Sequence, residues 1–488
     1  MTIETDGLAW TLHTIVDPKS DSDFPHHLAA ANAFLLFEDS LFPSFMVNRL
    51  ILSLLGLCLT IAFSSEIRAQ QAPTPPPAAR ISAANPSSFD PAAATQAWLD
   101  TVPPNQRAKS DAYFEGGYWL ILWNFLLGAA IAIFFLASHT SAALRDFAER
   151  ITGFKTLQVI VYAIPFTLVT TFLVFPLELY QSFFREHAYG LSTQNFGSWA
   201  GDEVKGLIVA LIANTILLAA LYFAFRRAPR LWWAFGTGVA ILLFIIAVMV
   251  GPIFVFPLFN KFQPLTDAKI RDPILALARA NEIPVTQVYE FDASRQTKKP
   301  SANVSGVLGT TRISLNDNLL KQSTLPEIRF VMGHEMGHYV LNHTMKLLSG
   351  FVMFALVGFL WARLAFDSAV RKWGDRWGVR GIADPAGFPL LVLIFSTLAF
   401  ALTPIINTIS RNIEREADAF GINTSREADG MAQASLKLGT YRKMNPGPVE
   451  EFIFFDHPSG RARIRMAMDW KAARLPAGNL DAPEPATD

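Results

Sequence analysis

Long runs without charge dominate the pattern along this chain. Six stand out: 116–138, 156–177, 206–225, 231–260, 347–362 and 387–409. Most reach the roughly 17–25 residues that a helix needs to cross about 30 Å of hydrocarbon. The fifth is the shortest, but it continues past Arg363 as Leu364, Ala365 and Phe366, and a terminal arginine extends its charge to the interface. Pro165, Pro176, Pro252 and Pro404 lie within these runs and predict kinks. Between the fourth and fifth runs the period changes. The stretch "VYEFDASRQTKKPSANVSGVLGTTRISLND" (288–317) alternates apolar and polar positions and predicts two strands joined near Gly309. "STLPEIRF" then carries a helix start, with Thr324 at the N-cap, Pro326 in the first turn and Glu327 three residues after the cap. It predicts a helix from Leu325 to His343. The last apolar run passes into "PIINTISRNIEREADAFG", where Gly421 reads as a helix stop. The expected fold is mostly α: a polytopic membrane protein of about six transmembrane helices, with one small β-sheet after the fourth.

The N-terminal pattern is different. Residues 1–45 are aperiodic, and Met46 opens "MVNRLILSLLGLCLTIAFSSEIRAQ", a basic start, a short apolar run and small residues toward Ala69. That is the layout of a secretory signal peptide, the competing reading being an uncleaved anchor. We expect residues 1–45 to be a non-native upstream extension and 46–69 the signal segment. A Pro/Ala-rich linker is expected over 70–110, and its stretch "QQAPTPPPAAR" (70–80) should stay extended. A four-span membrane domain over 111–260 and a second domain over 261–470 with two spans (347–366 and 387–409) come next, and 471–488 form a disordered tail.

Composition supports a membrane setting. Of 488 residues, 51% are hydrophobic and 17% charged, against about 25% charged in average soluble domains; mean hydropathy is +0.29. Zero formal net charge removes any electrostatic case for nucleic-acid binding. Cys58 is the single cysteine, so disulfide frameworks and thiolate metal sites are excluded. Loops 139–155, 226–230 and 367–386 share Arg145, Arg150, Lys155, Arg226, Arg227, Arg230, Arg371, Lys372, Arg376 and Arg380, whereas loop 178–205 carries only Arg185 and Lys205. The positive-inside rule makes the first set cytoplasmic. Segment 261–346 and the region after 410 then face the periplasm of a bacterial inner membrane.

The chemistry sits in "VMGHEMGHYVLNH" (331–343). On one helix, His334 and His338 lie one turn apart on one face. Two imidazoles so placed hold one Zn²⁺, with Glu335 beside them to take a proton from the water that the metal acidifies. Gly333 and Gly337 clear space beside these ligands at some loss of helix propensity. A third ligand is required, and Glu414 and Asp418 are i, i+4 on the helix that prolongs the last span. One supplies an oxygen ligand and the other orients an imidazole; spacing alone leaves Glu414 and Glu416 both open as ligand. The plainer alternative is a solvated charged face from Glu414 to Asp418. His343 falls off the ligand face and reads as helix-end polarity.

HEMGH with "SRNIEREAD" resembles the integral-membrane CAAX prenyl protease 1 family, whose relatives include a bacterial membrane heat-shock metalloprotease. Ser410, Arg411, Glu414, Ala417 and Asp418 match its SRxxExxAD pattern. "EHAYGLSTQNFGSWAGDEVKG" (186–206) resembles another family segment, with His187 where a second acid is usual, and "FPLFNKFQPLTD" (256–267) resembles a third. The resemblance spans roughly 110–470. It implies a zincin-type metalloprotease domain with one Zn²⁺ bound by His334, His338 and Glu414, Glu335 as base, and Asp418 behind a ligand histidine. It implies that Asn303 and Gly306 lie at a strand edge that pairs with substrate backbone, the alternative being a structural hairpin. It also implies that His457 and Arg463, in "FDHPSGRARIRM", donate to the oxyanion, the alternative being a helix cap.

These expectations describe a membrane-embedded zinc endopeptidase acting on membrane-associated or C-terminally lipidated substrates, prenylation being implied by the resemblance alone. Its partners are a peptide or protein and the bilayer. Two rivals differ in class. A catalytically silent scaffold or quality-control binding module would lack base or ligands, which are all present. A site-2-type intramembrane protease would place HExxH in an apolar span, whereas this helix carries Glu327 and Arg329.

Overall fold

The computed structural model describes residues 89–305 and 311–474. The upstream extension, the signal segment, residues 70–88 of the linker, Gly306, Gly309 and residues 475–488 of the tail lie outside the described residues. Among the described residues, six helices are long and apolar enough to cross a membrane: Pro104–Ala137, Lys155–Tyr189, Phe196–Arg227, Trp232–Leu258, His343–Trp377 and Pro385–Ser425.

The described residues open with α1 (Pro91–Asp100), which corrects the expectation of a linker running through residue 110; the stretch expected to be extended, 70–80, lies outside the described residues. Asp90 Oδ1 accepts from the Ala92 amide at 2.8 Å and Pro91 stands in the first turn, the N-cap and proline signals of a helix start. Leu99 is buried with Met431, Ile464 and Met468 of the C-terminal region. α2 (Pro104–Ala137), the short α3 (Thr140–Ile151), α4 (Lys155–Glu178), α5 (Phe196–Arg227) and α6 (Trp232–Val250) follow. Of the four prolines expected to kink the spans, Pro165 and Pro404 lie inside unbroken helix, and irregular turns occur at the other two. α4 passes from Pro176 into π-helical turns at Leu179–Phe184, and α6 passes into Gly251–Val255, which holds Pro252.

A four-stranded sheet then forms from β1 (Phe262–Pro264), β2 (Val288–Phe291), β3 (Ala302–Ser305) and β4 (Arg312–Asn316), in the order β1-β2-β4-β3. β3 and β4 are the antiparallel pair expected near Gly309, while β2 lies parallel to β4. Thus 288–317 holds three strands, since Asp292–Ser301 leaves the sheet before β3 returns to it. β3 is an edge strand. α7 (Ala268–Ala280) lies between β1 and β2, and α8 (Asp317–Gln322) follows β4. Ile274, Val288, Ile313, Leu315, Ile328, Met332 and Met336 bury together between sheet and helices.

α9 (Leu325–Val340) begins with the expected capping box: the Thr324 amide donates to Glu327 Oε2 at 2.5 Å. It ends three residues early, at a left-handed Asn342 with φ 52°, and α10 (His343–Trp377) starts there. α11 (Phe388–Ser425) runs unbroken through Gly421, so that glycine is a packing position and not a stop. α12 (Ala428–Leu438), α13 (Pro448–Phe454) and α14 (Gly460–Ala472) complete the chain. The largest core joins the spans through Phe135, Tyr162, Tyr222, Phe225, Trp232, Phe359 and Phe395. α9 is outside the six spans and packs against the part of α11 that extends beyond its apolar run.

Candidate metal centre

α9 and α11 approach closely because glycines face each other. A Cβ on Gly421 would stand 2.8 Å from the His334 amide nitrogen, and one on Gly333 would stand 3.0 Å from the Gly421 carbonyl. Gly337 similarly faces Phe420 at 3.1 Å, so the expectation that these glycines clear space is borne out in the packing.

His334, His338 and Glu414 are buried, and one ligand atom of each lies within 4.8 Å of the others. His334 Nε2 and His338 Nε2 are 3.1 Å apart; Glu414 Oε2 is 3.2 Å from the first and Oε1 3.5 Å from the second. Tetrahedral coordination with bonds of 2.0–2.1 Å separates ligand atoms by about 3.3 Å, so these spacings fit a Zn²⁺-sized cation. The spacing ambiguity resolves here: Glu416 instead lies 3.1 Å from His343 Nε2 and pairs with Lys346.

Each imidazole has a partner behind it. His334 Nδ1 is 2.9 Å from Asp418 Oδ1; a proton on Nδ1 leaves the Nε2 lone pair facing the cluster. Arg463 Nε donates to Asp418 Oδ2 at 2.8 Å and its Nη2 donates to Oδ1. Arg463 is therefore turned onto Asp418 within a buried pair. His338 Nδ1 is 3.0 Å from His343 Nδ1. His343 is wholly buried, which corrects its reading as helix-end polarity: the turn at Asn342 swings it back beneath His338. With His338 coordinating through Nε2, its Nδ1–H donates to His343, whose Nε2–H donates to Glu416. Sequence spacing missed this link; an Asn tolerant of the left-handed region before a second helix was the available signal.

Glu335 is buried, and its Oε2 has no hydrogen-bond partner among the described residues. Burial pushes its carboxyl up to about 8, with His334 opposing the shift and Glu414 adding to it. Burial lowers His338 to about 3, against the pull of Glu414. Burial would lower His334 as well, but hydrogen bonds to Asp418 and Glu414 prevail and hold it at about 10. A divalent cation competes with that proton for Nε2.

Glu335 faces a cavity of about 130 Å³ shared with His334, Glu414, His457 and Arg463, and walled by Ala302, Phe330, Leu438 and Tyr441. His457 Nε2 is 3.3 Å from Glu414 Oε2 and its Nδ1 is 2.9 Å from Asp456; it does not cap the helix of Arg463, where Ser459 takes the N-cap. Asn303 lies on β3 with its side chain buried. The strand reaches the cavity through Pro300, Ser301 and Ala302. The 186–206 segment holds the chain leading into β3. Lys298 N donates to Leu191 O at 2.8 Å, Gln296 Nε2 to Asp202 Oδ2 at 3.1 Å, and Lys299 lies 3.4 Å from Glu186. His187 ties that segment to the turn before it, lying 2.7 Å from Phe183 O and 2.8 Å from Gln194 O.

Comparison with known proteins covers most of the described chain. The profile of Peptidase family M48 matches residues 264–471, and that of "CAAX prenyl protease N-terminal, five membrane helices" matches 91–261. The "Uncharacterized metalloprotease YhfN" of Bacillus subtilis is 29% identical over 394 residues, spanning 80% of this chain and 89% of its own. CAAX prenyl protease 1 of Saccharomyces cerevisiae is 25% identical over 62% of this chain and 70% of its own. The crystal structure of S. mikatae Ste24p shares the fold, with TM-score 0.66 at 22% identity over 78% of this chain and 94% of that one.

Proposed function

The chain belongs to peptidase family M48, in its CAAX prenyl protease 1 branch, and is a multi-pass membrane metalloprotease; on that footing we propose a Zn²⁺ endopeptidase whose metal is held by His334, His338 and Glu414. The observation that carries the proposal is the convergence of two Nε2 atoms 3.1 Å apart with both oxygens of one buried carboxylate. Bound zinc polarises a substrate carbonyl and lowers the pKa of water to about 7.

The remaining steps belong to the chain. Glu335 takes the proton from the attacking water through its unpartnered Oε2 and passes it to the leaving amine. Asp418 fixes the Nδ1 proton of His334, and Arg463 holds Asp418 in place. His457 lines the cavity beside Glu414, where an imidazole N–H can donate to the developing oxyanion. Arg463 is assigned a positioning role, because Asp418 takes its Nε and Nη2. Substrate backbone pairs along the free edge of β3, with Asn303 on that strand; Gly306 is retained as the residue that follows it.

Residues 111–260 form the membrane domain and 261–470 the peptidase domain, refined by α1, which packs on the latter from the N-terminal side. The substrate is a membrane-associated peptide or protein, C-terminally lipidated by analogy with relatives named CAAX prenyl proteases. Loop charges support a bacterial inner membrane with the site on the periplasmic face. α9 lies outside the six spans, unlike the HExxH helix of a site-2-type protease, and the complete ligand and base set disfavours a silent scaffold.

Glu335→Gln tests the proposal. Zinc content should match the parent while hydrolysis of a quenched peptide falls at least about a thousandfold, in the range lost when a general base is removed. Equal activity in the two proteins would remove Glu335 as the base.

A further inference from the structure

At one end of the membrane domain, α4 begins and α5 finishes side by side, and an open recess of about 330 Å³ lies between them. It is lined by Phe154, Lys155, Thr156, Phe223, Arg226 and Arg227. Three cations thus share a small concavity, and carboxylates balance them poorly. Lys155 Nζ comes no closer than 3.9 Å to Glu149, a carboxylate already engaged by Arg380 at 2.9 Å. Among the described residues, Arg226 and Arg227 have no carboxylate in ion-pair range. Arg226 reaches only the Thr156 hydroxyl, at 3.5 Å, and Arg227 lies over the Phe223 ring at 5.7 Å.

The position of the recess decides what the cations face. Lys155 is the first residue of one candidate span and Arg227 the last of another, so the recess sits where hydrocarbon gives way to headgroups. Its aromatic members are exposed, Phe154 at 78% and Phe223 at 54%, an arrangement costly in water but suited to acyl chains and the interface. We propose that this recess binds the phosphate of an anionic phospholipid, with Lys155, Arg226 and Arg227 on the headgroup and Phe154 and Phe223 against the acyl chains. Basic pockets between spans bind acidic headgroups in this way. The site is remote from the metal centre and does not depend on its assignment.

The full chain in nanodiscs of phosphatidylcholine with or without phosphatidylglycerol, released for native mass spectrometry, tests this. The parent should retain one phosphatidylglycerol and no phosphatidylcholine, and inorganic phosphate should not displace it. The triple variant Lys155→Gln, Arg226→Gln, Arg227→Gln should lose retention by roughly a hundredfold, at about fivefold per cation. A charge-matched triple, Arg371→Gln, Lys372→Gln, Arg376→Gln, should retain the lipid. If the first triple fails to fold, by size exclusion, the exposed Arg227→Gln alone should show about fivefold weaker retention. Undiminished retention in the folded recess variants, or equal loss in the charge-matched triple, overturns the site. Displacement by inorganic phosphate overturns the lipid as its occupant.

Discussion

Gly421→Ala places one methyl group where α9 and α11 meet and makes the ligand geometry measurable. The added Cβ would sit 2.8 Å from His334 N, 3.0 Å from its Cα and 3.2 Å from its Cβ, whereas ordinary contacts begin at 3.4 Å. The atoms in the way are backbone, so the helices must part by about 0.6 Å for the tightest contact, the difference between those two separations. Overpacking of this kind costs about 1–3 kcal/mol. The displacement falls on His334 itself, whose Nε2 must stay in place against His338 and Glu414. Because catalytic constellations tolerate about 0.5 Å and a misplacement of 1 Å costs about a hundredfold, kcat/KM should fall about ten- to a hundredfold. Peptide hydrolysis, zinc content and thermal melting should be followed together. Gly350→Ala on α10, where an added Cβ meets nothing within 4 Å, should leave activity intact and gain up to about 1 kcal/mol of helix propensity. Full activity and unchanged melting in Gly421→Ala would refute the claim that this contact sets the site.

Three further outcomes follow from the groups behind the ligands. Asp418→Asn should lower metal affinity about ten- to a hundredfold, a range typical for partners of ligand histidines, and should also destabilise the fold because Arg463 keeps a buried charge without its partner; chelator competition and melting would show both. His343→Phe should retain the fold but weaken metal binding about tenfold, since His338 loses its Nδ1 acceptor; unchanged affinity would reduce His343 to packing. In the metal-free protein His334 titrates near 10, so metal uptake at neutral pH must expel its proton. Apparent affinity should therefore rise about tenfold per pH unit toward that value and weaken as pH falls, with calorimetry in buffers of different ionisation enthalpy registering the released proton.

The parts legible from sequence were those set by local period. The six spans, the Thr324–Glu327 capping box and the facing pairs His334/His338 and Glu414/Asp418 depend on 3.6-residue repeats and on short-range capping. What escaped depends on how elements meet. Glu414 and Glu416 are two residues apart, and only the rotation of α11, fixed by Gly421 against His334, decides which one faces the imidazoles. Gly421 itself looked like a stop because a glycine in a helix interior is unfavourable unless a neighbour needs the space. His343 was misread because the helix was carried through Asn342, whose positive φ redirects the chain. α1 was hidden by the Pro/Ala composition before it, although Asp90-Pro91 is a start signal. The sheet order, with a parallel β2–β4 pair inside an apparent hairpin region, is a long-range outcome with no local signature.

Anomalous diffraction from crystals of the full chain, recorded on both sides of the zinc absorption edge, tests the central claim most directly. One zinc-specific peak should lie about 2.0–2.1 Å from His334 Nε2, His338 Nε2 and a Glu414 oxygen, and it should vanish in His338→Ala. A metal replete preparation with its peak elsewhere, or with Glu414 directed away from the two imidazoles, would contradict the account.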